Sequence, residues 1–452
     1  MIAFPHPMNR SVPSFSFTVW TFSGALFLTG CVAPSSLHTQ RSAVGGGLQQ
    51  RDLALVRSDG ANATPQLPPG VSLEDGLSGN EAVAIALWNN AAFQENLTKL
   101  GLARGDLAQA GLLANPILSM LFPLGPKQLE FTATLPLEAL WLRSKRIAVA
   151  EMEAERVAQG LVQSGLDLAR DVRVSVSDGQ LARDREDVAA GTLEIREQIL
   201  RIAENRLRLG EASELEAVAA RAEWAHARAE AGRAQRDHAM FRERLSFLLG
   251  WPLPVTTALA PAAAADPATV PATSTLETKA LSARPDLRAS ELGLESAGRK
   301  AGLAEKEVWT LSGLLDANAA GKDGFEIGPG LALPLPIFSQ NQPNRLRAQA
   351  EVERAGWNYL GTRQRVVAEV RDARAKLEQA AATLTAYEQQ VLPPFEELER
   401  ASRKAYELGD VSPLIVQENS RQLLLLQVRR AELRAEVRRA WAELERSVGT
   451  RL

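Results

Sequence analysis

Residues Leu408–Ser412 read LGDVS, and they interrupt a tract whose composition and apolar spacing are otherwise those of one very long helix. Glycine often ends a helix, and Ser412 followed by Pro413 is a typical start of the next one. A matching stretch, LGEAS at Leu209–Ser213, lies 199 residues earlier. We therefore predict a sharp helix reversal at both places and a chain built from a duplicated unit.

Other short matches recur at nearly the same offset. Leu135-Pro136-Leu137 corresponds to Leu335-Pro336-Ile337, and Gly250 corresponds to Gly449. The matches define a first repeat over 78–250 and a second over 275–452. A segment rich in Pro, Ala and Thr, residues 251–274, separates them and is predicted to be a linker.

Both repeats contain the same predicted elements in the same order. A medium helix (80–113 or 285–308) precedes two short strands and a very long helical tract (139–208 or 345–408). The reversal and a helix of about 35 residues follow. At 1.5 Å per residue the long tracts reach about 100 Å, which no compact domain requires. Pro393-Pro394 lies inside the second tract and predicts a kink or brief break there.

Apolar residues in these helices recur with the spacing of a coiled-coil seam. In the first repeat the predicted seam comprises Val188, Ile195, Ile199, Ile202 and Leu209. In the second it comprises Leu426, Leu433, Val437, Ala440 and Leu444.

The strand segments alternate with a period of two. LEFTATLPL (129–137) and FEIGPGLALPL (325–335) each present one apolar face, and their predicted partners are 115–124 and 310–320. Strands of about ten residues match the length of a membrane-barrel strand. Four strands cannot close a barrel, and open edges do not survive in lipid. An oligomer is therefore expected, and a trimer leaves a channel whereas a dimer's eight strands enclose little space. Soluble hairpins packed on helices are the alternative.

The N-terminus reads as a secretory signal, because Arg10 precedes a short apolar segment. LTGC, ending at Cys31, resembles a bacterial lipoprotein signal. That resemblance implies a signal peptide over 1–30, a lipidated (palmitate-bearing) Cys31 and an N-terminal lipid-anchored segment over 31–77. Val32 favours the outer membrane over retention in the inner one. An ordinary buried cysteine is the alternative.

Composition argues against several functional classes. A net charge of −3 gives no footprint for nucleic acid, and a single cysteine excludes a disulfide framework or thiolate metal cluster. His226 and His238 are 12 residues apart without ligands at metal spacing, and no phosphate-binding glycine loop is present. We predict no enzymatic activity, no catalytic residue, no metal site and no cofactor.

Four pieces of sequence together carry a family resemblance: AGLLANP (110–116), RPDL (284–287), LPLPIF (333–338) and the two LG..S turns. In this order they resemble the outer-membrane efflux protein family, the TolC-like lipoproteins of tripartite efflux systems. The resemblance covers 78–449. Ala91 departs from the pattern, since the family often has proline there.

The resemblance implies a mostly α fold with a small membrane β-barrel portion. Three chains form a twelve-strand barrel in the outer membrane and a twelve-helix coiled-coil tunnel through the periplasm, with the linker as an equatorial belt. Such a channel passively conducts substrate from an inner-membrane pump through a periplasmic adaptor (membrane fusion protein). AGLLANP favours a resistance-nodulation-division pump exporting metal cations or drugs. A type I secretion exit duct and a non-channel coiled-coil or adaptor lipoprotein are the alternatives.

The resemblance also assigns residues to the periplasmic end. The turns at Gly210, Ser213, Gly409 and Ser412 are expected to contact the adaptor. Matching the family's constriction gives a periplasmic gate formed by Glu418, Tyr406 and Asn419. The family's other acidic position falls at Ile415, so one acidic ring is expected. Glu214 and Glu216 are the first-repeat counterparts.

Overall fold

The computed structural model describes residues 44–51, 65–74, 76–122, 130–252, 257–260, 270–319, 325–408 and 410–452. The predicted signal peptide, Cys31, Gly409 and the turns expected to join the strands of each hairpin lie outside these residues.

The described chain is mostly helical with one four-stranded sheet, which confirms the predicted fold class. None of its helices is both long and apolar enough to cross a membrane. In chain order the elements are α1 (44–49), α2 (Gly79–Asn89), α3 (Ala91–Leu97), α4 (Lys99–Gly111), β1 (Ile117–Leu121), β2 (Glu130–Pro136), α5 (Glu138–Arg208), α6 (Glu214–Leu249), α7 (Thr273–Ala283), α8 (Pro285–Lys306), β3 (Ser312–Ala319), β4 (Phe325–Ala332), α9 (Gln342–Ala386), a π-helical segment (Tyr387–Val391), α10 (Leu392–Glu407) and α11 (Pro413–Val448).

The long helices agree with the prediction in position and length. α5 has 71 residues, and α9, the π-helical segment and α10 together form its counterpart. α6 and α11 have 36 residues each. α5 is therefore about 100 Å long.

The first medium helix was predicted as one element, and this prediction is wrong. The chain forms α2, α3 and α4 instead. Asn90 separates α2 from α3, because it leaves helical geometry and caps a new helix by accepting a hydrogen bond from the Phe93 amide. Thr98 lies between α3 and α4 and makes no side-chain cap. The corresponding helix of the second repeat, α8, begins with Pro285 at its first position and is continuous, as predicted.

Pro393-Pro394 does not break the second long tract. Each proline lacks an amide donor and crowds the carbonyl one turn earlier. The chain accommodates both by widening into the π-helical segment Tyr387–Val391 and then resuming as α10. The predicted defect is therefore present at this position, but as a local change of helix type.

The predicted seam is correct in the second repeat, where Leu433, Val437 and Leu444 are buried. In the first repeat it is wrong near the reversal, where Ile202 and Leu209 are exposed. The buried positions there are Arg196 and Ala203, each one residue further along the helix. A period-seven pattern of large apolar residues cannot reveal a seam built from alanine and the stem of an arginine.

The sheet has the order β1-β2-β3-β4, with every pair antiparallel. Cross-strand partners share a face, so the register sorts the side chains into two sets. One face is apolar throughout and comprises Leu118, Met120, Phe131, Ala133, Leu135, Gly313, Leu315, Ala317, Ile327, Pro329 and Leu331. The polar side chains lie on the other face, where the Thr132 hydroxyl donates to the Asp316 carboxylate at 2.8 Å. The predicted alternation is confirmed.

Packing of the helices preserves the duplication. In the first core cluster Leu245 and Leu249, at the end of α6, pack with α2 and α5. In the second, Leu444 and Val448, at the end of α11, pack with α7 and α9. The leucine pair and its counterpart are again 199 residues apart. Each repeat therefore surrounds its own buried core at this level.

An ionic cluster around Arg284 lies in the second repeat and reaches the first through Arg446, which donates to Asp167 of α5 at 2.9 Å. Arg284 is 2% exposed and donates to both carboxylate oxygens of Asp286, at 2.9 and 2.6 Å, to Glu369 and to the Ser447 carbonyl at 3.2 Å. Arg446 shares Glu369 at 2.8 Å. A buried guanidinium is stable only when its donors are satisfied, and here they converge on three segments.

The segment after α1 joins the same cluster. Arg51 donates to the carbonyls of Gly449 at 3.0 Å and Ala283 at 2.6 Å. Leu48 packs so closely on α5 that a side chain at Gly165 would meet it at 2.7 Å. We call this set of contacts of Arg51, Arg284 and Arg446 the Arg284 junction. It fastens the N-terminal segment to the point where the repeats meet.

Candidate functional site

The two reversals use the same backbone hydrogen bond. Gly210 adopts a left-handed conformation with φ of 76°, and the Glu211 amide donates to the Arg206 carbonyl at 2.9 Å. In the second repeat the Asp410 amide donates to the Ala405 carbonyl, also at 2.9 Å. Such a bond across six residues is the mark of a Schellman C-cap. The duplicated sequence therefore folds into duplicated turns.

The helices that leave the turns begin with the predicted serine caps. Ser213 accepts a hydrogen bond from the Glu216 amide at 3.2 Å, and Ser412 accepts one from the Leu414 amide at 3.1 Å. Both contacts satisfy donors that a helix start leaves unpaired. Gly409, the glycine predicted in the second turn, lies outside the described residues.

Large apolar side chains project from both turns. Leu209 and Leu215 are 74% and 78% exposed, and Leu408 and Leu414 are 69% and 70% exposed. The two pairs occupy equivalent positions in the repeats. Four exposed leucines at such turns form an apolar surface that water does not favour.

Glu418 lies on α11 shortly after the second turn, and its side chain is half exposed. Arg421 donates to both of its carboxylate oxygens, at 2.6 and 3.0 Å, and Gln422 adds a longer contact. The hydrogen bond from Arg421 lowers the pKa of Glu418 below its ordinary value. The carboxylate therefore remains ionised, and it is partnered within its own helix.

The other predicted gate residues have varied surroundings. Asn419 is half-buried on α11, and Ile415 is 48% exposed, so the position of the family's second acid carries an accessible apolar side chain. Tyr406 lies in the last turn of α10, and its side chain is outside the described set. Of the first-repeat acids, Glu216 pairs with Arg206 at 3.3 Å, whereas Glu214 is exposed.

Arg196, which links three helices near this end, was not predicted from the sequence. Its side chain is 10% exposed on α5, lies 3.7 Å from Glu223 on α6, and donates to Gln417 on α11 at 3.5 Å. Gln417 immediately precedes Glu418. Arg196 therefore holds the start of α11 against α5, and only the buried position next to Ile195 could have signalled it.

The histidines considered in the sequence do not meet. His238 Nδ1 lies 2.5 Å from a carboxylate oxygen of Glu186 on α5, and His226 is exposed. No group of three or more His, Cys, Asp or Glu residues suited to a metal ion occurs within the described ranges. The His238–Glu186 pair is a contact between α5 and α6.

Comparison with known proteins agrees with the duplicated architecture. A family model described as outer membrane efflux protein matches residues 127–251 and 276–450, one match in each repeat. The cobalt-zinc-cadmium resistance protein CzcC of Cupriavidus metallidurans is 26% identical over 406 residues, covering 88% of this chain and 96% of that protein.

Solved structures share the fold. CusC is 19% identical, with a TM-score of 0.67, and the match covers 88% of this chain and 100% of CusC. VceC of Vibrio cholerae is 18% identical, with a TM-score of 0.66, and the match covers 82% and 96% of the two chains.

Proposed function

Since the chain belongs to the outer membrane efflux protein family and is an outer-membrane efflux channel extending into the periplasm, we propose that three copies close one conducting barrel. The observation that supports this is the sheet: one chain leaves β1 and β4 with an unpaired edge each. Three copies supply twelve strands, and joining β4 of one copy to β1 of the next removes every edge.

The two faces of the sheet fit this arrangement. The apolar face faces lipid, and the face with Thr132 and Asp316 lines the lumen. The long helices extend from the ends of the strands and form the tunnel. Both reversals lie at the ends of these helices farthest from the strands, and so at the periplasmic end of the tunnel. Cys31, acylated, anchors each chain in the outer membrane, and residues 251–274 form the belt between the repeats 78–250 and 275–452.

The partners follow from the family, whose channels work with an adaptor and an inner-membrane pump. We assign adaptor contact to the two turns, because Leu209, Leu215, Leu408 and Leu414 offer an exposed apolar surface there. The chain itself hydrolyses nothing, since the pump supplies the energy.

Metal cations are the proposed cargo, moved by a resistance-nodulation-division pump. The support is the name of the relative CzcC, a cobalt-zinc-cadmium resistance protein. Threefold copies of the ionised Glu418 at a narrow entrance favour cations by concentrating negative potential.

The test is reconstitution of the full, lipidated protein. We expect the mass of a trimer in detergent and discrete single-channel conductance in planar bilayers. A chain that stays monomeric without detergent and conducts nothing contradicts the proposal. Metal sensitivity of cells that lack the gene, rescued by the gene, tests the cargo separately.

A further inference from the structure

The start of α5 is tied to the chain that enters β3, at the end of the sheet. The amides of Leu137 and Glu138 donate to the Leu311 carbonyl at 2.7 and 3.3 Å. A side chain at Gly313 would meet Leu137 at 3.4 Å, so Leu137 lies on the apolar face of the sheet. At this tie the apolar face therefore passes directly into the helices.

Two exposed tryptophans lie next to the tie. Trp141 is one helical turn after Leu137 on α5 and is 43% exposed. Trp309 is two residues before Leu311, in the segment between α8 and β3, and is 53% exposed. Tryptophan is enriched at the boundary between hydrocarbon and water, because its ring is apolar while its N–H donates a hydrogen bond. The two side chains therefore indicate the level of that boundary on this chain.

A lysine accompanies each tryptophan, farther from the sheet. Lys145 is four residues after Trp141, on the same side of α5. Lys306 is the last residue of α8, and its carbonyl accepts a hydrogen bond from the Trp309 amide at 3.4 Å. At 1.5 Å per residue Lys145 is about 6 Å beyond Trp141. That distance matches the thickness of the headgroup layer outside the hydrocarbon core.

The two lysines come together because α5 and α8 pack in opposite directions. Two turns after Lys145, the Glu153 carboxylate of α5 accepts hydrogen bonds from Lys300 and Ser296 of α8, at 2.7 and 2.6 Å. From that contact, both helices lead towards the sheet to Lys145 and Lys306. Contact with Lys306, through hydrogen bonding and its like charge, lowers the pKa of Lys145.

Other cations of α8 are neutralised by acids of α5, whereas this pair is not. Lys300 and Arg288 each form an ion pair with a glutamate of α5. Within the described ranges no acid pairs with Lys145 or Lys306, although two exposed glutamates flank Lys306 in the sequence. An ammonium group has three donors and no acceptor, so neither lysine can satisfy the other. An anion whose oxygens accept from both satisfies them and removes their repulsion.

We propose that Lys145 and Lys306 bind the phosphate of an anionic phospholipid in the leaflet facing the periplasm, while Trp141 and Trp309 contact its glycerol and upper acyl chains. The proposal rests on the proposed channel function, which places the sheet in the outer membrane. The phosphate offers acceptor oxygens to both ammonium groups, and the apolar face beyond the tryptophans receives the chains. The trimer therefore carries three such sites.

Native mass spectrometry tests the site. The full-length, acylated trimer is stripped of phospholipid in detergent and titrated with phosphatidylglycerol. We expect three molecules to be retained per trimer, and binding to weaken at least about tenfold in Lys145→Gln/Lys306→Gln. Lys279→Gln/Lys404→Gln removes the same charge from exposed lysines of α7 and α10 and should bind as wild type does. Lys145→Arg/Lys306→Arg keeps the charge and should retain binding.

Thermal unfolding separates lipid binding from a structural role of the two lysines. Phosphatidylglycerol should raise the Tm of the wild type but not that of Lys145→Gln/Lys306→Gln, because a ligand of the folded state stabilises it. Without lipid this variant should be at least as stable as the wild type, since a repulsive pair has been removed. A variant that is less stable without lipid, or that loses the trimer, indicates lysines paired with a neighbouring copy and overturns the proposal.

Competition identifies the source of the phosphate. Phosphatidylcholine has no net charge and inorganic phosphate has no acyl chains, so neither should displace phosphatidylglycerol. Displacement by either one overturns the assignment, as does equal binding by the two double glutamine variants or a conducting wild-type trimer that retains no phosphatidylglycerol. A wild type that retains the lipid but stays monomeric contradicts the proposed channel instead, so the two failures are distinguishable.

Discussion

The side chains near the reversals differ in how well their roles can be predicted from the surrounding sequence. Glu418 could be singled out because the family resemblance places the constriction there, but its partner Arg421 became evident only from the geometry. Arg196 escaped detection, since an arginine is normally assigned to a solvated face. Its burial depends on Gln417 and Glu223, which lie on two other helices, and such long-range satisfaction is not encoded locally.

Replacing the Glu418 carboxylate tests its role in selectivity. Glu418→Gln removes three charges from the proposed ring and should lower the cation-to-anion permeability ratio about twofold or more, measured as the reversal potential in a salt gradient. Glu197→Gln is the control, because Glu197 is also an exposed acid that pairs with an arginine on its own helix, Arg201. An unchanged reversal potential in Glu418→Gln, with the trimer intact, removes this residue from the gate.

Glu153 predicts a pH dependence of stability. Partial burial alone would raise its pKa, but hydrogen bonds from Lys300 and Ser296 on α8, with the charge of Arg156, hold it at about 2. A depressed folded-state pKa adds stability that is complete above the ordinary value of 4.5 and is lost as the pH falls towards 2. The contribution is at most about 3 kcal/mol.

The measurement compares wild type with Glu153→Gln by thermal unfolding in detergent at several pH values. Wild type should be the more stable protein at pH 7, and the difference should shrink between about pH 4.5 and 2. Glu151→Gln, an exposed acid on the same helix, should show no such trend. A pH-independent difference argues against the ionic contact between α5 and α8.

Among the elements, length and alternation were the most predictable properties. α5, α6, α11 and the strand faces follow from periods of 3.6 and 2 sustained over many residues. The division between α2 and α3 was missed because one asparagine, Asn90, determines it by capping. At Pro393-Pro394 the sequence disclosed a defect, but how the backbone would absorb it depended on the contacts of Tyr387 with α11.

The sheet permits a matched test of its orientation. Leu315→Arg places a charge on the apolar face and should cost about 2–4 kcal/mol in lipid, so little trimer should reach the outer membrane. Thr134→Arg puts the same side chain on the opposite face and should be tolerated. Trimer yield from outer-membrane fractions is the readout. Similar yields of the two variants contradict the assignment of the apolar face to lipid.

At the scale of the whole molecule, the duplication could be predicted from the sequence. Short stretches of the two repeats match at nearly the same offset, and this can be seen without knowing any structural detail. Two core clusters and two Schellman turns repeat it in three dimensions. The Arg284 junction was not recoverable. RPDL marks where it lies, but Arg51, Glu369 and Arg446 come from remote parts of the chain.

The proposed adaptor surface includes the turns of both repeats, so its test concerns the whole molecule. Leu209→Asp/Leu408→Asp replaces one exposed leucine on each turn and should weaken adaptor capture at least about tenfold, because desolvated apolar anchors become charged. Co-purification from cross-linked cells gives the readout, with trimer content measured in parallel. Met240→Asp, an exposed site on α6 remote from the turn in sequence, should retain the adaptor. Undiminished capture by the double variant removes the turns from the interface.

The bond from Arg51 to the Gly449 carbonyl joins positions 398 residues apart. During export the segment around Arg51 is delivered early and has to wait for residues near Gly449 before its donors are satisfied. A chain that stops short of that point cannot complete the contact that fastens its leading segment.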